Sequence, residues 1–196
     1  MDALELLQTR ASVRPDDLGE PAPNDAQIDG LIRAALTAPD HGGLQPWAFI
    51  VVRGEARARL GEVFAEAAAQ REPGLDAAAL DRLRAKPLRA PLIIAVAARI
   101  DPDNRKIPPI EQVLSAGAAA QQLQLAANAM GFGAIWLTGD SAHDPAVTEA
   151  LGLGFDDRLV GLVHIGTPTR TPAPPQRPDP AGFLREWHEP LQLETL

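Results

Sequence analysis

The stretch from Ile110 to Met130 contains no proline and consists largely of alanine, glutamine and leucine. On a helix, its apolar residues occupy nearly the whole circumference instead of a single stripe. A helix with this pattern has to be covered on most sides, so the stretch predicts a long helix in the middle of the protein. Gly131 follows it directly, where glycine commonly ends a helix.

Apolar runs without helical periodicity predict the strands that pack against this helix. Residues 91–100 form a continuous apolar run, which is typical of a strand covered on both faces. Further strands are predicted at 47–52, 134–139 and 158–168, with helical patterns between them. This order of elements predicts an α+β or α/β sandwich, in which one sheet lies between helices.

The length and composition fit one folded domain. The chain has 196 residues, of which 45% are hydrophobic and 22% charged, as in ordinary soluble proteins. Residues 167–196 differ, because they are rich in proline. They also carry large apolar side chains: Phe183, Leu184, Trp187 and Leu191. We therefore expect a domain at 1–166 and a C-terminal arm at 167–196 that packs on a partner subunit, with a disordered tail as the alternative.

Charge and targeting signals exclude several classes of protein. The net charge of −8 disfavours binding to nucleic acid. The absence of cysteine excludes disulfides and thiolate metal sites and fits a reducing compartment. The N-terminal residues are typical of an amphipathic helix, not of a signal peptide, and no apolar run is long enough to span a bilayer. We expect a cytoplasmic protein with no nucleic-acid or membrane partner.

The chain is poor in reactive side chains. It has no cysteine and no tyrosine, and its histidines lack a spacing that would bring two onto one face, so no metal site is expected. His164 lies in an apolar strand and is expected to be a buried core residue. Enzymes that use their own nucleophile normally place a base beside it. If this chain is an enzyme, a cofactor carries the reaction and no side chain is catalytic.

Two short motifs are candidate sites. Arg10, Ser12 and Arg14 place two guanidinium groups around a hydroxyl, which suits a phosphate group. They are equally typical of surface charges that pair with acidic residues in 16–20. The motif APDHGGLQPW at 38–47 links a helix to a strand and is either a tight connection or a loop that carries a site.

Taken in order, these motifs resemble the bacterial nitroreductase family of flavin mononucleotide (FMN) proteins, in its short single-domain branch. RASVR is similar to the family's phosphate motif, and APDHGGLQPW to the segment after its second helix. A long helix that leads into GFGAIWLTG, followed by GTP and a proline-rich arm, completes the likeness. It extends over nearly the whole chain.

The resemblance implies a fold, an activity and an assembly. The fold is α+β, with a mostly antiparallel sheet flanked by helices, a long buried central helix and an extended C-terminal arm. The activity is hydride transfer from NAD(P)H through flavin N5 to a small organic acceptor, nitroaromatic or quinone-like, by a ping-pong mechanism. The assembly is a homodimer with FMN at the subunit interface.

The same resemblance assigns site residues. It implies FMN contacts by residues from three parts of the chain: Arg10, Ala11, Ser12, Arg14, Thr37, His41, Trp136, Leu137, Thr138 and Gly139. Of these, Arg10, Ala11, Ser12 and Arg14, together with Arg177, would bind the phosphate and the ribityl chain. Thr37 and His41 would reach the flavin of the other subunit, and the N–H of Gly139 would lie near N5. It also implies NAD(P)H contacts at the end of the central helix: Ala126, Ala127, Asn128, Ala129, Met130 and Gly131.

Two positions depart from the family pattern. Ala11 replaces an arginine, and Gly43 replaces a frequent asparagine. These departures motivate an alternative, a flavin-binding or structural homodimer without turnover. A third possibility is an acidic interaction protein without a cofactor, in which the arginines are only surface charges.

Overall fold

A single antiparallel sheet organises the computed structural model, which describes residues 2–173 and 175–187. Its strands are β1 (Leu18–Gly19), β2 (Trp47–Arg53), β3 (Leu92–Ala98), β4 (Gly133–Leu137) and β5 (Arg158–Pro168). The helices are α1 (Ala3–Thr9), α2 (Asp25–Ala35), α3 (Ala56–Arg71), α4 (Ala77–Ala85), α5 (Pro109–Ala129) and α6 (Pro145–Ala150). Short 3₁₀ turns lie between them: Pro15–Asp17, His41–Gly43, Lys86–Arg89, Asp140–His143 and Pro180–Gly182.

Strand β5 is the centre of the sheet. It pairs with β1, β3 and β4, while β2 pairs with the far edge of β3. Every one of these pairings is antiparallel. The α+β prediction is therefore confirmed.

Strand β3 shows why the apolar run at 91–100 predicted a doubly covered strand. Ile94 and Val96 belong to the core between the sheet and helices α2 and α5. Ile93 and Ala95 point to the opposite face and belong to the core with helices α3 and α6. All seven residues of β3 are fully buried, because helices cover both faces of the sheet.

Helix α2 begins with a complete capping box. The N–H of Gln27 donates to Asn24 Oδ1, and the N–H of Asn24 donates to Gln27 Oε1, each at 2.9 Å. Caps of this type contribute about 1 kcal/mol to stability. The helix then buries Leu31 and Ala35 completely against the sheet.

Helix α5 is buried along the side that faces the sheet. Ala116, Ala119 and Leu123 are inaccessible to solvent, whereas Ile110 is 62% exposed and Leu114 is 64% exposed. The sequence predicted burial around the whole circumference of α5, but a single chain buries only the side that faces the sheet. An apolar strip on the N-terminal half of α5 remains exposed to solvent. None of the helices in the described residues is long and apolar enough to cross a membrane.

The segment after β5 stays on the surface. Its start is attached to the first loop, because Thr169 N–H donates to the Asp17 carbonyl at 2.9 Å and Arg170 pairs with the Asp17 carboxylate at 2.6 Å. Further along, Phe183 and Trp187 are more than two-thirds exposed, at 76% and 71%. Leu191, which was expected to add to this apolar surface, lies outside the described residues.

Candidate functional site

The segment that follows α1 is attached to the open edge of β4 by Val13. The Val13 N–H donates to the carbonyl oxygen of Ala134 at 3.1 Å, and its buried side chain packs with Leu18 and Ala90. Because side chains alternate along an extended segment, the neighbouring Ser12 and Arg14 point away from this core. The first motif is thereby positioned next to the end of β4.

An open cavity of about 340 Å³ lies where this segment meets β4 and α5. It is lined by residues from three parts of the chain: Arg10, Ser12, Gln121, Gln124, Trp136 and Thr138. Four of these were predicted from sequence as FMN contacts, and the two glutamines were not. The lining combines a cation, hydroxyl groups, amides and an indole ring.

Positive charge is concentrated at one end of the cavity. Arg10 Nη1 donates to Ser12 Oγ at 3.3 Å, and Arg177 Nη2 donates to the backbone carbonyl of Arg10 at 2.7 Å. Burial lowers the pKa of the Arg10 guanidinium, and the nearby charge of Arg177 lowers it further. Burial and the charge of Arg177 both disfavour the charged form of Arg10. An anion bound beside these guanidinium groups would offset this effect, because it favours the charged form.

Another part of the cavity wall is the indole ring of Trp136. Its Nε1–H donates to the carbonyl oxygen of Val160 at 3.1 Å, which fixes the ring across the neighbouring strand β5. Gly161 and Gly117 leave the space that the ring occupies. The ring contributes to the cavity and also to a groove of about 1130 Å³ that runs along α5 past Leu114 to Phe155.

The chain turns sharply after β4. Thr138 lines the cavity, and Gly139 has φ of +71°, a conformation that glycine adopts without strain. Leu137 is half-buried and belongs to the pairing with β5, opposite Leu162. The predicted flavin contacts at 136–139 thus form one continuous stretch, of which Trp136 and Thr138 line the cavity and Leu137 and Gly139 do not.

Arg14 lies in a neighbouring cleft of about 420 Å³, which shares only Ser12 with the cavity. Asp17 and Arg170, which pair with each other, line the same cleft. Ala11 is half-buried and lines neither space. Of the first motif, Arg10 and Ser12 therefore face the cavity.

Thr37 and His41 lie at the other end of α5. The Thr37 hydroxyl donates to the carbonyl of Ala34 at 2.8 Å, and the His41 ring contacts the carboxylate of Glu111. Glu111 precedes Gln121 by ten residues of α5, which corresponds to about 15 Å along the helix axis. Within one chain, Thr37 and His41 do not reach the cavity.

The family model described as Nitroreductase family matches residues 7–167. The chain belongs to the nitroreductase family. It is 43% identical to the protein named NAD(P)H nitroreductase YdjA of Escherichia coli K12, over 94% of this chain and 98% of that protein. A solved nitroreductase-like family protein from Bacillus cereus is 25% identical with a TM-score of 0.81, and the match covers 96% of this chain and 97% of that one.

A nitroreductase from Desulfovibrio desulfuricans, solved in complex with FMN, has the same fold. It is 23% identical with a TM-score of 0.71, and the match covers 95% of this chain and 97% of that chain. The family and fold predicted from sequence are confirmed by these likenesses. Membership in an oxidoreductase family also agrees with the prediction that the chain is an enzyme.

The segment predicted to contact NAD(P)H lies at the end of α5 in this nitroreductase family member. Ala127 is fully buried, and Ala126 packs against the core. Met130 is 42% exposed and lies over Gly30 of α2. No residue of 126–131 lines the cavity in the part of the chain that the structure describes, so a contact with NAD(P)H stays a prediction.

Sequence reasoning did not identify Gln121 and Gln124 as site residues. The two glutamines are three positions apart on α5 and therefore share one helix face. A signal was present, because a glutamine between Leu123 and Leu125 interrupts an otherwise apolar pattern. A polar residue at one helical position does not by itself indicate a cavity, because solvent-facing positions are also polar.

Proposed function

We propose that this member of the nitroreductase family is an FMN-dependent oxidoreductase that transfers hydride from NAD(P)H to a small organic acceptor, nitroaromatic or quinone-like. The proposal is carried by the cavity that Arg10, Ser12 and Trp136 line together, with Arg177 bonded to the backbone carbonyl of Arg10. The FMN-bound relative and the NAD(P)H in the names of curated relatives support the choice of cofactor and reductant. Bound FMN supplies the hydride chemistry at N5, with both substrates using one site in turn.

The residues present fit FMN by their chemistry. The Arg10 guanidinium and the Ser12 hydroxyl are donors that match a dianionic phosphate, and Arg177, which does not line the cavity, adds positive charge through its bond to the Arg10 backbone. The flat Trp136 ring suits the isoalloxazine, and the backbone N–H of Gly139, the residue after Thr138, would donate to it. Ala11 and Arg14 would add little directly, since neither lines the cavity.

The chain's own part in the reaction is binding and orientation. Among the described residues that line the cavity, none carries a carboxylate or an imidazole that could move a proton. In the proposed reaction the flavin carries the chemistry, and no side chain acts as a catalytic acid or base. Arg10 and Arg177 hold the phosphate, while Trp136 excludes water from one side of the ring site.

We further propose that two chains form the working unit. The open strip of α5 at Ile110 and Leu114 is apolar surface that an isolated chain would leave in water. A second copy packed along α5 in the opposite direction would bring its Thr37 and His41 to the cavity that they cannot reach within their own chain. The exposed part of the C-terminal arm at Phe183 and Trp187 would then pack on the partner. The absence of cysteine fits a cytoplasmic enzyme.

Purified protein tests this function directly. We expect it to be yellow, to have the mass of two chains, and to lose its flavin absorbance when NADH or NADPH is added without oxygen. A nitroaromatic or quinone should then restore the absorbance. A bound flavin that neither nucleotide bleaches would favour a flavin-binding dimer without turnover. A colourless protein that takes up no added FMN would contradict the cofactor assignment.

Replacing Arg10 with alanine should weaken FMN binding by about 10- to 150-fold, because a hydrogen bond to a charged group contributes roughly 1.5–3 kcal/mol. Titration of the apoprotein, followed by quenching of flavin fluorescence, measures the dissociation constant. Riboflavin lacks the phosphate, so its affinity should hardly change. Arg33→Ala, on the exposed face of α2, is the matched control. Equal losses for FMN and riboflavin would exclude Arg10 as the phosphate ligand.

A further inference from the structure

Gln124 is a polar side chain in a position where an apolar one would be expected. It is 4% exposed, and Ala120, Leu123 and Ala127 around it on α5 are fully buried. Burying an amide without sufficient hydrogen bonds costs about 1–3 kcal/mol. A buried glutamine of this kind therefore needs a polar partner, and its side chain faces the cavity.

The hydrogen bond to Gln121 uses only part of the hydrogen-bonding capacity of the Gln124 amide. Gln124 Nε2 donates to Gln121 Oε1 at 3.3 Å, which is long for an N–H···O hydrogen bond. An amide has two donor hydrogens and an oxygen that accepts two bonds. Gln121 and Gln124 both line the cavity, so a group bound there can use the remaining hydrogen-bonding capacity.

The other lining groups leave one part of a flavin nucleotide without a matching wall. Arg10 and Ser12 suit the phosphate, since they offer donors, and Trp136 suits the flat ring. A chain of neutral hydroxyl groups needs partners that both donate and accept, which amides do. The hydroxyls of Ser12 and Thr138 and the glutamine pair on α5 have this chemistry, and among these groups Gln124 is the buried one.

We propose that Gln124, held by Gln121, is a positioning residue that hydrogen-bonds the ribityl hydroxyls of the bound flavin. The proposal rests on the FMN-binding function proposed above and assigns a role to a residue outside the phosphate motif. Gln124 sets the position of the flavin along the cavity between the arginine end and the Trp136 end. It takes no part in hydride transfer.

Three flavins separate this role from its alternatives. FMN has phosphate and ribityl chain, riboflavin has the chain alone, and lumiflavin has neither. We expect Gln124→Met, which keeps the length of the side chain and removes its hydrogen bonds, to weaken FMN and riboflavin by the same factor, about 2- to 10-fold. Lumiflavin binding should be unchanged. The readout is the dissociation constant from quenching of flavin fluorescence, with circular dichroism to confirm that each variant is folded.

Gln122→Met is the matched control, because Gln122 is half-buried on the same helix and does not line the cavity. It should leave all three affinities unchanged. Unchanged affinities in Gln124→Met, or an equal loss for lumiflavin, would overturn the proposal while leaving FMN binding intact. A wild-type protein that binds none of the three flavins would instead remove the proposed function, and this role for Gln124 with it.

Discussion

Replacing Gly161 with alanine is expected to displace Trp136 and to damage both stability and flavin binding. A Cβ at this position of β5 would lie 2.0 Å from Trp136 Nε1 and 3.0 Å from the carbonyl oxygen of Leu137. The backbone of β4 is held by its pairing with β5, so the indole ring must move. Its hydrogen bond to the Val160 carbonyl would then be lost.

The expected cost is about 1–3 kcal/mol of unfolding free energy, as for other overpacked cores. Flavin affinity should fall by about tenfold or more, the equivalent of ~1.4 kcal/mol, because Trp136 lines the cavity. Denaturant titration measures the first quantity and flavin fluorescence the second. Tryptophan emission of the apoprotein should also shift as the ring becomes hydrated.

Gly117→Ala is the informative comparison for this prediction. A Cβ there would meet the same Trp136 ring at 3.9 Å, an ordinary contact, and alanine is the better helix former. Its unfolding free energy should be unchanged or slightly higher. If Gly161→Ala and Gly117→Ala had the same unfolding free energy, close packing of Trp136 against β5 would not be the contact that fixes the position of the indole ring.

The second large effect concerns the pH dependence of stability at His164. This side chain is 5% exposed on β5, between Ile93 of β3 and Ile135 of β4. Burial lowers its pKa to about 4, and the charge of Arg89 adds to the decrease, whereas a hydrogen bond with the Leu162 carbonyl opposes it. In the unfolded chain the pKa of histidine is about 6.5.

As the pH falls below about 6.5, the unfolded chain takes up a proton that the folded chain accepts only near pH 4. The folded state should therefore lose about 3 kcal/mol relative to the unfolded state across this interval. Above pH 6.5 both states are neutral at this residue, and its contribution is constant.

Denaturant unfolding of wild type and His164→Gln at several pH values isolates this contribution. Carboxylates titrate in the same range in both proteins, so the difference between the two curves is the relevant quantity. We expect the variant to lose less stability than wild type between pH 7 and pH 4.5. Parallel curves for the two proteins would show that His164 is protonated equally in both states.

Local sequence patterns predicted the elements of this fold well. The apolar run at 91–100 became β3, and the pattern from Ile110 to Met130 became α5 with a difference of one residue at each end. The Asn24 cap begins α2 in the structure. Such features depend on hydrogen bonds and side-chain contacts within a few residues, which a sequence displays directly.

The site was predictable in part, because it combines local motifs with long-range packing. Arg10 and Trp136 came from motifs that resemble a known family, and the structure brings both to one cavity. Arg14 belongs to the same motif as Arg10 but faces another cleft. The hydrogen bond of Val13 to β4 and the alternation of side chains along the extended segment decide the direction of each side chain. Gln124 was missed because its helical position alone does not indicate a cavity.

The helices, the strands, the capping signals and the family can be recognised in the sequence, since these depend on neighbouring residues and on known motifs. That Arg10, Gln124 and Trp136 share one cavity is a result of three-dimensional packing, because it depends on α5 packing against the sheet and on the first loop bonding to β4. The pairing of distant strands around β5 sets these distances, and no local pattern encodes it.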